Sequence, residues 1–195
     1  MLALEIIGFI AGVLGVWLTL KKNIFCFPIG IINVCVSFFI FFEQKLYGDS
    51  MQQIVYFVLL AYGWLNWKRN NLSNENKIFI SRLNLIGIAF CLTAILISTL
   101  LLGFLLKTYT DASFAWIDSF ASSCAFVAQY LIARKKIETW PLWILVNIIY
   151  IVVYIQKDLF VYAFLFSIYG VLALWGWWAW NKDLNLQKEN VADER

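Results

Sequence analysis

Mostly apolar runs, separated by short charged or loop-like clusters, follow one another along nearly the whole chain, at 2–20, 24–42, 50–67, 83–106, 112–133, 139–156 and 159–180. A helix needs about 20 such residues to cross the roughly 30 Å hydrocarbon core of a bilayer. The pattern predicts an all-α membrane protein of seven transmembrane helices in a single domain, residues 1–182, followed by a charged cytoplasmic tail over 183–195 that frays. Composition closes the alternatives. Of 195 residues, 63% are hydrophobic and 14% charged, whereas about a quarter of a soluble domain is charged. Too few polar side chains remain to wet a globule, which excludes a soluble enzyme, a nucleic-acid binder and a disordered chain.

The chain has no histidine. That removes the commonest general base, the commonest zinc ligand and every Ser/His or Cys/His catalytic arrangement, so no enzyme, metal or cofactor is expected. Cys26, Cys35, Cys91 and Cys124 lie in apolar runs without Cys-x-x-Cys spacing and read as inert thiols. Residues 1–5 lack the basic start of a cleaved signal, so the first run is expected to remain as a span. Alternating the loops between two faces puts twelve of the fifteen cations on one face, among them Lys21, Lys22, Lys68, Arg69, Arg134, Lys135, Lys136 and Lys182. Lys45, Lys107 and Lys157 fall on the other. Cationic loops stay in the cytoplasm, so the N-terminus is expected outside and the C-terminus inside.

Shifted by 113 residues, 5–69 aligns with 118–182, with twelve of 65 positions identical. The only two prolines, Pro28 and Pro141, share this spacing, as do Glu5 and Asp118, and Lys21-Lys22 and Arg134-Lys135. This predicts two three-helix units, 5–69 and 118–182, joined by a linker helix over 83–106. The odd helix between them makes the units parallel repeats, an architecture that points to a transporter with its substrate held between the halves. The linker has no charged residue and is expected to face lipid on most sides.

The sixth run carries Trp140, Trp143, Asn147, Tyr150 and Tyr154 at steps of three and four, which place them on one helical face. Gln52, Gln53 and Tyr56 in the third run, Asp118, Ser119, Ser122, Ser123 and Gln129 in the fifth, and Tyr162, Ser167 and Tyr169 in the seventh add neutral polar groups, one acid and more rings. Aromatic faces attract cations, and an Asn or Gln amide offers both donor and acceptor. The set suits a planar, partly polar organic molecule. Other residues have plainer readings. Trp64, Trp67, Trp175, Trp177, Trp178 and Trp180 suit an interfacial belt. Gly8, Gly12 and Gly15 suit a helix-packing face, and the serines of the fifth run suit close helix contact as well as binding.

Three stretches carry a resemblance to the Pnu vitamin transporters. They are Trp140-Pro-Leu-Trp143-Ile-Leu-Val-Asn147, then Lys45-Leu-Tyr-Gly-Asp49 followed by Gln53 and Tyr56, and the paired endings Tyr62-Gly-Trp-Leu-Asn-Trp67 and Trp175-Gly-Trp-Trp-Ala-Trp180. The resemblance implies a bacterial inner-membrane carrier that moves an unphosphorylated vitamin precursor by facilitated diffusion, after which a cytosolic kinase traps it without needing to touch the carrier. It implies nicotinamide riboside as substrate, with thiamine and riboflavin as alternatives, and ligand contacts at Trp140, Trp143, Asn147 and Gln53. Tyr56, Gln129, Tyr150 and Tyr169 complete the expected lining. The partners are then the small-molecule vitamin and the bilayer, with no nucleic acid, and a homo-oligomer is compatible with this reading. A seven-helix receptor or non-catalytic scaffold is the alternative of a different class; its retinal version would need a lysine inside the last run, which has none.

Overall fold

The computed structural model describes residues 2–45, 47–73, 80–110 and 114–193, and these form seven helices. They are α1 (Leu2–Leu20), α2 (Cys26–Glu43), α3 (Tyr47–Ser73), α4 (Leu85–Tyr109), α5 (Ala115–Ala133), α6 (Thr139–Gln156) and α7 (Phe160–Asp193). Each apolar run has become a helix, and the first and sixth keep the boundaries read from sequence. Helices α2, α4, α6 and α7 are long and apolar enough to cross a membrane, and α1 contributes a shorter apolar segment, Ile6–Leu20. Helices α3 and α5 are less apolar because they carry the glutamines and serines, and α5 turns Ser119, Ser122, Ser123 and Gln129 into the protein. In hydrocarbon such groups have no water to meet, so an inward face is where they can be tolerated.

Six helices form a closed ring in the order α1, α2, α3, α5, α6, α7 and back to α1. Helix α4 stands outside it against α5, where the Trp116 ring fills the space a side chain at Gly103 would need. The rest of α4 exposes Leu85, Ile86, Phe90, Leu96, Leu101 and Phe104. Ring closure is helped by the small residues Ala121, Ala125, Ala128 and Ala133 on α5, which let neighbouring backbones approach.

The basic loops gather at one end. The Trp67 indole N–H donates to the Ile132 carbonyl at 3.1 Å, and the Trp180 indole N–H donates to the Leu20 carbonyl at 3.2 Å. The segment before α4 adds a backbone bridge, Ser81 N–H to the Lys135 carbonyl and Ile137 N–H to the Ser81 carbonyl, both 3.1 Å. Lys135 is buried with its ammonium 5.1 Å from the Trp67 ring centroid, and burial lowers its pKa from the usual lysine value.

Two expectations are corrected here. Trp67 and Trp180 are fully buried, so the belt accounts only for the exposed Trp64, Trp175, Trp177 and Trp178. The two inner tryptophans spend their N–H groups on carbonyls of distant helices, contacts that no local pattern announces. The described part of the tail past Lys182 is also not frayed, since α7 continues to Asp193. Leu184 joins a buried cluster with Leu20, Ile80, Ile137 and Trp180, and Asp183 pairs with Lys22. That pair is partly exposed, so Lys22→Met is expected to lower stability by less than about 1 kcal/mol in a detergent melt.

Among the described residues, four other than glycine have positive φ, Lys22 (57°), Lys45 (60°), Lys135 (53°) and Asp158 (57°), each in a turn after a helix. Lys45 is exposed. A left-handed backbone costs an ordinary L-residue roughly 1 kcal/mol, a penalty glycine lacks. Lys45→Gly is therefore expected to raise stability by about 0.5 to 1 kcal/mol, read as an upward shift of the melting temperature.

Candidate functional site

The ring encloses a cavity of about 1250 Å³ lined by all six of its helices. Exposed Lys45, Asp49, Tyr109 and Lys157 frame its mouth, and buried Phe27, Leu60, Trp140 and Ala173 form its floor. The floor lies next to the buried tryptophans of the basic end: Phe27 meets Trp67 edge-on at 5.0 Å, and Trp140 meets Trp180 edge-on at 5.4 Å.

Helix α6 supplies one wall. Its three-four spacing delivers Trp140, Trp143, Asn147, Tyr150 and Tyr154 to the cavity together. Trp140 is almost wholly buried and its indole N–H has no hydrogen-bond partner among the described residues, leaving an unpaired donor at the floor of the cavity. Asn147 is 3% exposed, and its amide also lacks a partner among the described residues. Tyr150 lies 3.4 Å, hydroxyl to hydroxyl, from Ser122, and it stacks on Tyr154, which stacks in turn on Tyr162.

The remaining expected residues come from the neighbouring helices. Gln129 of α5 is buried at the cavity, and no described residue hydrogen-bonds to it. From α3, Tyr56 packs edge-on to Phe126 at 5.1 Å, and Gln53 makes a long 3.5 Å bond to the Asp49 carbonyl. Tyr169 reaches in from α7. All eight residues singled out from sequence thus line one cavity. The amides of Asn147 and Gln129 face the cavity with no partner among the described residues, which leaves both able to bond a ligand. Flat aromatic walls, neutral amides and the carboxylates Asp49 and Asp118 fit a planar, polar or cationic organic molecule.

Sequence reasoning missed the opposite wall. Gly12 and Gly15 of α1 and Gly30 and Asn33 of α2 line the cavity, while Gly8 and Gly15 also abut α2 as the packing-face reading expects. One signal was available: at the 113-residue shift Gly30 stands where α6 has Trp143, so the two walls differ in the side chains they carry. Asp49 came only with the resemblance, and it lines the cavity with Asp118.

A family model described as nicotinamide mononucleotide transporter matches residues 2–182. The chain belongs to that family. It is therefore a membrane transporter and not an enzyme. Among curated relatives, the nicotinamide riboside transporter PnuC of Escherichia coli is 27% identical over 201 residues, covering 91% of this chain and 84% of the relative. The riboflavin/roseoflavin transporter RibM of Streptomyces davaonensis is 26% identical over 179 residues, covering 89% and 84%. The fold is similar to a crystal structure of the vitamin B3 transporter PnuC, with a TM-score of 0.75 at 21% identity, over 93% of this chain and 82% of that one.

Proposed function

We propose that this transporter carries nicotinamide riboside across the bacterial inner membrane by facilitated diffusion, with a cytosolic kinase trapping the product. The observation that carries the reading is the α6 stripe, in which Trp143, Asn147 and Tyr150 present rings, and an amide without a partner among the described residues, to one cavity. Nicotinamide riboside has a cationic pyridinium ring, a carboxamide and sugar hydroxyls, which match such a lining. Trp140, Trp143, Asn147, Gln53, Tyr56, Gln129, Tyr150 and Tyr169 are its proposed contacts. The riboflavin transporter among the relatives favours a second reading, riboflavin, and the cavity exceeds the roughly 300 to 1,000 Å³ usual for small-ligand pockets. Thiamine, a cationic aromatic, is the third candidate.

All seven helices are taken to span the membrane, with the N-terminus outside, the basic end and tail 183–195 in the cytoplasm, and repeats at 5–69 and 118–182 around linker helix 83–106. Several features 113 residues apart support the repeats. The positive-φ turns pair as Lys22 with Lys135 and Lys45 with Asp158. The set of Gly63, Phe27 and Trp67 pairs with Gly176, Trp140 and Trp180, each glycine facing the first ring and each tryptophan meeting it edge-on.

Titration of purified protein with the three vitamins tests the substrate. Binding of nicotinamide riboside, displaced by close analogues and not by thiamine, is expected. Uptake into proteoliposomes should then proceed without any ion gradient; an absolute need for one would overturn facilitated diffusion.

A further inference from the structure

The α6 stripe accounts for a flat ring and an amide, and it leaves the opposite wall without a role. In the ring order α2 lies opposite α6, so the two walls face each other across the cavity. This wall includes Gly12, Gly15, Gly30 and Asn33, and the part of a ligand that extends across the cavity from a ring resting on α6 reaches it.

Two polar groups meet there. The Asn33 amide nitrogen and the Tyr169 hydroxyl both stand within 3.3 Å of one point, the place a β-carbon on Gly12 would occupy. Any side chain at position 12 would displace the hydroxyl, so the glycine is what lets the two groups converge. Asn33 donates one N–H of Nδ2 to the Gly8 carbonyl at 2.7 Å, which fixes the amide and leaves the second N–H of that nitrogen without a partner among the described residues. No described residue hydrogen-bonds to the Tyr169 hydroxyl, whose ring is held edge-on against Phe166 at 5.8 Å. An N–H donor beside a hydroxyl that both donates and accepts complements an alcohol, whose oxygen takes one bond while its O–H gives the other. The same pair offers an aromatic ring face little.

We propose that Asn33 and Tyr169, gathered at Gly12, form a second subsite that reads hydroxyl groups on the sugar or polyol arm of the transported molecule. The subsite rests on the carrier reading above and adds a division of labour: α6 holds the ring, and α1, α2 and α7 hold the hydroxylated arm. Cargo with a ring and no such arm would lose this half of the recognition.

The experiment compares purified wild type with Tyr169→Phe, which keeps the packed ring and removes one oxygen. Nicotinamide riboside and its 2′,3′-dideoxy analogue are titrated into both, after a melt confirms folding. The variant is expected to bind the riboside about tenfold more weakly, with affinity for the dideoxy analogue unchanged. Asn33→Ala and Gly12→Ala should reproduce the pattern. Equal loss for both ligands, or loss for neither, overturns the subsite. If wild type binds riboflavin and not the riboside, the substrate reading fails alone, and riboflavin against lumiflavin, the same ring without its ribityl arm, becomes the deciding pair with the same criteria. Wild type that binds thiamine and neither of the others overturns both, because thiamine carries no sugar.

Discussion

Asn147→Leu is expected to weaken ligand binding by roughly 1 to 3 kcal/mol, about five- to 150-fold in Kd, while leaving the fold intact. The side chain is 3% exposed, lines the cavity and has no hydrogen-bond partner among the described residues. Its amide faces the cavity, where a ligand can supply the missing bonds. Leucine keeps the branched outline with two larger methyl groups in place of the amide, and the cavity beside position 147 can take the added volume, so thermal stability should hold. The ligand, in contrast, would lose a two-sided partner in a desolvated site. Titration and a melt on the same preparation separate the two effects. Unchanged affinity in a folded variant would remove Asn147 from the site, and a collapse in stability would assign it a structural role instead.

The second large effect concerns folding. Gly176→Val is expected to destabilise the protein by about 3 kcal/mol or more, at the upper end of what overpacking usually costs. Ring carbons of Trp140 already occupy the place of a β-carbon at Gly176, and that ring is set edge-on against Trp180, which is tied to the Leu20 carbonyl. The obstruction is a rigid ring at the floor of the cavity and cannot swing aside as a flexible chain end would. Loss of folded yield and a lowered melting temperature are the readouts. The milder Gly176→Ala should be partly rescued by Trp140→Phe, since the obstructing atoms, Cη2, Cζ3 and Cε3, belong to the outer ring of the indole, which the shorter phenylalanine lacks. Failure of the smaller ring to restore any stability would locate the strain elsewhere.

Much of this site was visible in one dimension because it lies along one helix. Trp140, Trp143, Asn147 and Tyr150 share a face by spacing alone, and α6 needed only to point that face inward. Trp67 and Trp180 show where such reading stops. By composition they match Trp64 and Trp177, one turn away, and all four sit near helix ends. Burial separates them, and burial follows from carbonyls on helices far away in the chain, Ile132 for one and Leu20 for the other. Of the α1 glycines, Gly8 and Gly15 abut α2 as a packing face would, and Gly12 departs from that reading for a related reason. A small residue permits close approach, but nothing local tells whether a helix, a side chain or a cavity fills the space; at Gly12 it is the hydroxyl of Tyr169.

The order of residues alone established the membrane class, the seven helices and most of their ends, the duplicated pattern and the aromatic stripe. Apolar length, helical periodicity and charged loops are properties of residues near one another in the chain, and they act before any helix meets its neighbours. Assembly decided the rest: that six helices close a ring and α4 does not join it, that two tryptophans leave the interface, and that Asn33 and Tyr169 converge on one glycine. These depend on packing between residues well over a hundred positions apart in several cases. Such contacts form only when complementary volumes and unpaired polar groups meet across the ring, and no window of local sequence contains both partners.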